Sequence, residues 1–340
     1  MKYIYIMSLA IACLFASCKT EQKKSVPVKG AMVGFKTNDP LVHDPVMAYE
    51  DSTYYLFCTG MGVTCLSSKD MKEWTVEKPI FTELPKWIKE ALPEARLHLW
   101  APDVIYHNGE WHVFYACSAF AKNTSVIGHV TNKTLNPLSS DYKWVDKGMI
   151  IQSIPYRDDW NAIDPNVIID ESGTPWMNFG SFWNGMKMFR MTNDLSAVAQ
   201  PEEWITISKR QRTWTLDDKD PGDGAVEAPF IFKKGEWYYL FVSFDYCCRG
   251  KESTYKVVVG RSDNVKGPYL DRDGVEMNHG GGTLVIEGDG VNWQAVGHNS
   301  AYTFNGKDYF ISHAYEMKEG SSHLLIREIA WEDGWPIVKW

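Results

Sequence analysis

Apolar and polar positions along the chain follow one plan that recurs five times. The segments HDPVMAYEDSTYYLF from His43, APDVIYHNGEWHVFYA from Ala101, IDPNVIIDESGTPWMNFGS from Ile163, EAPFIFKKGEWYYLFVS from Glu227 and GHNSAYTFNGKDYFISHAY from Gly297 each set an apolar run and an aromatic run on either side of a polar turn. The turns EDS, HNGE, DESG, KKGE and FNGK carry the Gly, Asn or Asp that tight hairpins favour, so each segment predicts a β-hairpin. A second half follows in most copies: CLSSKDMKEW from Cys65, VIGHVTNKTL from Val126, FRMTNDL from Phe189 and VVVGRSDNV from Val257 run a further strand into a polar corner. That makes about four antiparallel strands per repeat. Asp44, Asp103, Asp164, Glu227 and Asn299 mark the repeats at intervals of 59, 61, 63 and 72 residues, a period that suits one blade with its loops. The pattern therefore predicts an all-β chain folded as a five-bladed β-propeller. Two packed sheets would also show regularly spaced hairpins, but would not need five copies of one unit.

One stretch reads as helix, LPKWIKEALPEA over 84–95, with prolines at both edges of a short amphipathic pattern. At the start, MKYIYIMSLAIACLFASC sets Lys2 before an apolar run that ends in small residues, so residues 1–17 read as a signal peptide too short to span a bilayer. Leu14 to Cys18 resemble a bacterial lipobox, which implies lipidation of Cys18 and attachment of the exported protein to the outer membrane. Residues 18–34, with the polar run Lys19 to Lys24, read as a tether, and 35–340 as the propeller with no second domain. A chain this long buries roughly three quarters of its unfolded surface and needs no disulfide staples.

Removing residues 1–17 takes the formal charge from −8 to −9, because Lys2 is their only charge, and nucleic acid is thereby an unsuitable partner. The five cysteines after Cys18, at 58, 65, 117, 247 and 248, form no CxxC pair, which argues against a zinc site or a disulfide framework. Most read as buried small apolar residues; the adjacent thiols of Cys247 and Cys248 could oxidise, but a packed wall is the reading preferred for them.

In a propeller the innermost strand of each blade lines the central channel, so residues at repeat starts converge on one end of it. Asp44 in HDP, Asp164 in IDP and Glu227 in EAP stand there, each close ahead of a Pro that holds the chain extended. An isolated Asp-Pro is ordinarily a turn or strand cap, which is the reading for Asp39-Pro40, and Asp103 falls with it because its Pro comes first. Position in three repeats sets the other acids apart. Converging carboxylates repel, which keeps the least solvated one protonated near neutral pH. Glycoside hydrolysis needs such a set: one acid for the leaving oxygen and one base for water, about 6.5–9.5 Å apart when the water must fit between base and sugar.

The motifs HDP, LHLWAPDV, WNAIDPNV, GAVEAPF, FVSFDYCCRG, STYKVVVGRS and GGGTL together resemble glycoside hydrolase family 43, most of all its arabinanase branch, from about Gly34 to the C terminus. The resemblance implies an inverting hydrolase on a five-bladed propeller. It puts the general base on Asp44, the general acid on Glu227, and the carboxylate that orients and raises the acid on Asp164. It also implies a cation, described in the family as calcium, held in the channel through waters and the histidine of GHNS, His298. A hydrogen-bonded channel histidine without an ion is the alternative, since hard cations prefer oxygen. The other histidines, His98, His112 and His313 among them, read as structural.

Expected substrate contacts are His43 beside the base, Trp100, Phe120, Phe182 and Trp183 where loops meet the channel mouth, and Ser181 and Asn166 for sugar hydroxyls. HGGG at His279 resembles a lipase oxyanion loop, but the chain has no GxSxG elbow, and no HExxH. The resemblance thus implies hydrolysis of α-1,5-linked L-arabinan, a plant cell-wall polysaccharide, with internal cutting favoured. An exo-acting α-L-arabinofuranosidase or β-xylosidase, or a surface lipoprotein that binds arabinan without cutting it, are the alternatives.

Overall fold

The computed structural model describes residues 26–27, 32–217 and 219–340. The signal peptide and the lipidated Cys18 lie outside the described residues, as does most of the tether, although Val26–Pro27 pairs in parallel with Pro40–Leu41 and so extends a sheet.

Five antiparallel sheets follow one another along the chain. Blade 1 holds Val46–Glu50, Thr53–Cys58, Thr64–Ser68 and Trp74–Val76, with Lys36–Thr37 added outside. Blade 2 holds His98–His107, Glu110–Cys117, Ser125–Asn132 and Val145–Ser153, and blade 3 Asn166–Ile169, Pro175–Phe179, Met186–Arg190 and Trp204–Ser208. Blade 4 holds Val226–Lys234, Trp237–Phe244, Lys256–Ser262 and Thr283–Ile286. Blade 5 takes only three strands from the C-terminal end, Trp293–Phe304, Lys307–Glu316 and Ser322–Glu328. Its fourth is Pro40–Leu41, so the ring closes by joining the two ends of the chain. Val42 N–H donates to the Ser322 carbonyl at 3.1 Å, Ser322 Oγ returns a bond to the Val42 carbonyl at 2.7 Å, and Asp39 meets His323 Nδ1 at 2.7 Å. The Asp39-Pro40 pair thus belongs to the clasp. The predicted helix is shorter than its pattern, Lys86–Ala91, because Pro85 and Pro93 bound it.

Each sheet is covered on both faces, which is why the strands read as near-continuous apolar runs. Alternate residues serve different neighbours: Val46, Ala48, Tyr55 and Phe57 pack with blade 2, whereas Met47, Tyr54 and Leu56 pack with blade 5. In blade 4, Tyr238, Leu240 and Val242 face blade 3 while Tyr239 and Phe241 face blade 5. The apolar clusters therefore lie between blades, and sheet packing alone turns the chain around an axis.

Toward the axis the inner strands share a backbone feature that the repeat reading missed. Asp44, Ala101, Asp164, Ala228 and His298 all adopt positive φ, between 39° and 56°. This conformation costs a side-chain-bearing residue roughly 1–2 kcal/mol and needs support from its surroundings. The support comes from the neighbouring blade: Asp44 N–H donates to His313 Nδ1 (3.1 Å), Ala101 N–H to Thr59 Oγ1 (2.7 Å), Ala228 N–H to Asp164 Oδ2 (3.2 Å) and His298 N–H to Ser243 Oγ (2.8 Å). Asp44 and Asp164 are thus equivalent, but Glu227 stands one residue before its blade's turn, Asp103 two after and Asn299 one after.

Two residues past the turn, a second ring of bonds runs around the channel. Asp103 accepts Val167 N–H at 2.7 Å, Asn166 Oδ1 accepts Ile231 N–H at 2.9 Å, and Ser300 Oγ donates to the Pro45 carbonyl at 2.8 Å. Asn166 is 3% exposed and its Oδ1 also accepts from Asn178 at 2.9 Å, so the expectation that it binds sugar hydroxyls gives way to a structural role. Replacing Asn166 by Ala would strand a buried N–H, and a loss of about 1–3 kcal/mol in urea unfolding is the expected outcome.

Candidate active site

Because strands alternate in direction, the starts of the inner strands share one face with the connections from second to third strand and from each blade to the next. The positive-φ turns deliver Asp44, Asp164 and His298 to that face, and Glu227 joins them from the strand Val226–Lys234. Asp44 Oδ1 is met by three imidazoles: His298 Nδ1 at 3.0 Å, His313 Nδ1 at 3.6 Å and His43 Nδ1 at 3.8 Å. Its Oδ2 accepts from Thr59 Oγ1 at 2.5 Å. Asp164 Oδ2 holds the N–H of Ala228, the residue after Glu227, and Ser181 Oγ donates to Glu227 Oε2 at 2.6 Å. The three carboxylates and His298 are all buried or nearly so.

Burial on its own would raise the Asp44 carboxyl, yet the charge and hydrogen bond of His298, with help from His43, hold it well below the usual carboxylate range. Burial likewise opposes charge on His298, but Asp44, Asp164 and Glu227 lift it to about 9. Asp164 is pushed well up by burial and by the neighbouring Glu227 and Asp44 charges, against the pull of His298. Glu227 is raised by burial against the Ser181 bond. The mouth thus combines a carboxyl held low at Asp44, an imidazole pushed up at His298 and two carboxyls pushed up at Asp164 and Glu227. Two buried acids pushed up beside one held down is the division of labour that acid–base hydrolysis uses.

His313 is not the remote structural histidine expected. It is fully buried against Asp44, and burial, with the His43 ring beside it, drives its pKa well down. As the acceptor for Asp44 N–H, neutral His313 carries its proton on Nε2. Its pairing partner in the fold, Gly297 next to His298, is the signal in the sequence that would have found it.

Among the described residues, the three metal-capable side chains whose ligand atoms lie within 4.8 Å of one another are His43, Asp44 and His313, a set without His298. Two imidazoles and one carboxylate suit a borderline metal better than calcium, and His313 Nδ1 is engaged by Asp44 N–H. Around His298 the field of three carboxylates favours positive charge. An imidazolium supplies that charge, and a water-ligated cation on the second ring nitrogen fits the same field.

Of the expected substrate contacts, Phe120 is 73% exposed on the loop between the second and third strands of blade 2. Trp100 is half-buried, with its Nε1–H donated to His98 Nδ1 at 3.1 Å. Phe182 lies 5.9 Å from Tyr246, ring to ring, on the same face. Trp183 is 3% exposed, with its N–H donated to the Pro221 carbonyl, and serves as wall rather than as an open stacking surface. Exposed Tyr156 and Trp214, on the connections into blades 3 and 4, share the face and were missed because they lie outside the repeated halves.

Cys247 and Cys248 form a disulfide on that face, against the expectation of two packed thiols, whereas Cys58, Cys65 and Cys117 are free and buried as expected.

Buried carboxyls pushed in opposite directions at the mouth of a propeller are the arrangement that glycoside hydrolysis requires. Residues 39–336 match the model of glycosyl hydrolases family 43, and the chain belongs to that family. It is 47% identical over 336 residues to an extracellular exo-α-(1→5)-L-arabinofuranosidase of Cellvibrio japonicus, covering 98% of this chain and 92% of that one. It is 35% identical to an extracellular endo-α-(1→5)-L-arabinanase of Bacillus subtilis, covering 98% and 97%. A solved Cellvibrio cellulosa α-L-arabinanase complexed with arabinohexaose superposes with a TM-score of 0.86 at 50% identity, over 88% of this chain and 95% of that one.

His298→Gln removes the strongest partner of Asp44. Its carboxyl pKa should then rise toward the ordinary range, as followed by carboxyl carbon NMR titration; an unmoved Asp44 would contradict the electrostatic assignment.

Proposed function

We propose that this hydrolase cleaves α-1,5-linked L-arabinan with inversion. The observation that carries the reading is the protonation split at the mouth, one carboxyl held low and two pushed up, in a chain whose relatives are named for arabinan hydrolysis. Asp44, ionised and fixed by Thr59 and His298, takes the proton of the attacking water. Glu227 gives its proton to the leaving oxygen, and Asp164 orients that acid and keeps it protonated by repulsion. Ser181 trims the acid from the other side, and His43 stands beside the base within reach of the sugar. Phe120, Trp100 and Phe182 offer faces to the furanose rings.

A cation held through waters and the second ring nitrogen of His298, as the family resemblance implies, would need that ring neutral and would take the place of the imidazolium charge. When bound, such an ion supplies fixed positive charge among the carboxylates. The reading includes export by residues 1–17, which the extracellular naming of both relatives supports, and lipid attachment at Cys18, which rests on the lipobox-like residues Leu14 to Cys18 alone.

Identity of 47% with an exo-named relative against 35% with an endo-named one favours release from the chain end over the internal cutting expected from the motifs. A time course on linear arabinan decides: small product of one size from the outset supports exo action, and early mixed oligosaccharides support endo action.

Asp44→Asn should abolish turnover of linear arabinan without unfolding the protein, whereas Glu227→Ala should lose about 10²–10⁴-fold and recover on aryl glycosides with good leaving groups. Wild-type rates in either variant would overturn the roles. Ser181→Ala removes a bond that lowers the acid, so the Glu227 pKa rises and the alkaline limb of the kcat profile should move to higher pH.

A further inference from the structure

The Cys247–Cys248 disulfide lies one hydrogen bond from a chain of groups that ends at Asp44. Cys248 is exposed and adopts a φ of 64°, and its N–H donates to the Tyr315 hydroxyl at 2.9 Å. Cys247 packs with Tyr255, Ala295 and Tyr315, and Tyr315 itself is 2% exposed. The Tyr315 oxygen stands 3.2 Å from His43 Nε2 and 3.9 Å from Cys248 Sγ. Since its oxygen already accepts the Cys248 N–H, the one hydroxyl proton goes to the nearer and stronger acceptor, His43 Nε2. Neutral His43 must then carry its proton on Nδ1, the nitrogen 3.8 Å from Asp44 Oδ1. That gap is too long for a direct bond and suits a water or hydroxyl held between the two.

We propose that the Cys247–Cys248 disulfide and Tyr315 are positioning groups that set the tautomer of His43, so that His43 Nδ1–H and Asp44 Oδ1 together hold the water that Asp44 activates. The inference rests on the reading of Asp44 as base. The disulfide's part is to keep Cys248 in a left-handed conformation, which a free residue leaves readily because it costs roughly 1–2 kcal/mol. Once Cys248 relaxes, Tyr315 loses the donor that orients its proton, and His43 can take the other tautomer. Both groups act through the water held for Asp44, so the effect falls on turnover.

Treating the full-length enzyme with TCEP, which becomes its phosphine oxide as the disulfide becomes two thiols, tests this directly. Among the described residues there is no other disulfide to open. With reduction verified by thiol titration, kcat on linear α-1,5-arabinan should fall about five- to tenfold at nearly constant KM, the worth of one neutral hydrogen bond. Tyr315→Phe should show the same fall, and TCEP should add nothing to it, because the relay is already cut. Unchanged kcat after reduction of the wild type, or a further loss when Tyr315→Phe is reduced, overturns the proposal. Asp44→Asn, assayed alongside, separates the two readings: activity in that variant removes the base assignment, whereas its inactivity beside a silent reduction removes the relay alone.

Discussion

The left-handed turn at the head of each inner strand is the constraint on which the site depends. Four of the five turns lie immediately before a proline, at Asp44, Ala101, Asp164 and Ala228, and four of them have their N–H tied to a side chain of the preceding blade. A strained backbone of this kind persists only where its surroundings over-determine it. Here the bonds that hold the turns also hold the blades to one another, so the geometry of the mouth and the closure of the ring are one structure. Asp164 serves both: one oxygen secures the turn of blade 4 while the carboxylate faces Glu227.

Crowding three acids is expensive, and the cost is met by placing one imidazole among them. His298 touches Asp44 and feels all three charges, which makes it a cation where burial would otherwise keep it neutral. Its preference for Asp44 breaks the symmetry: Asp44 becomes the low carboxyl, and Asp164 and Glu227 are pushed up. His313, farther from that oxygen at 3.6 Å and fully buried, stays neutral and contributes an acceptor instead of a charge. Two histidines at one carboxylate thus play opposite parts because of a difference in burial and partners.

The apolar architecture and the chemistry meet at the clasp. Pro40–Leu41 completes blade 5, and the active-site residues His43 and Asp44 follow within three residues. Asp44 is therefore held by the same segment that closes the ring, with blade 5 supplying His298, His313 and Tyr315 around it.

How much of this was legible beforehand follows from what each signal encodes. Hairpin turns, two-faced apolar strands and a period near sixty residues are local or repeated properties, so the five blades and the acids at repeat starts could be read along the chain. The register of those acids could not: Glu227 is one residue off the position shared by Asp44 and Asp164, because a backbone turn, not residue identity, defines equivalence. Asn166, which looked like a sugar contact, is consumed by contacts between blades, while His313, which looked structural, and Tyr315, which drew no reading, arrive at Asp44 and His43. Adjacent cysteines are visible in any sequence, but whether they join depends on the loop that carries them. Local pattern determined the fold; burial, pairing across blades and the sharing of protons among groups hundreds of residues apart were decided only when the ring closed, because those energies depend on distance in space.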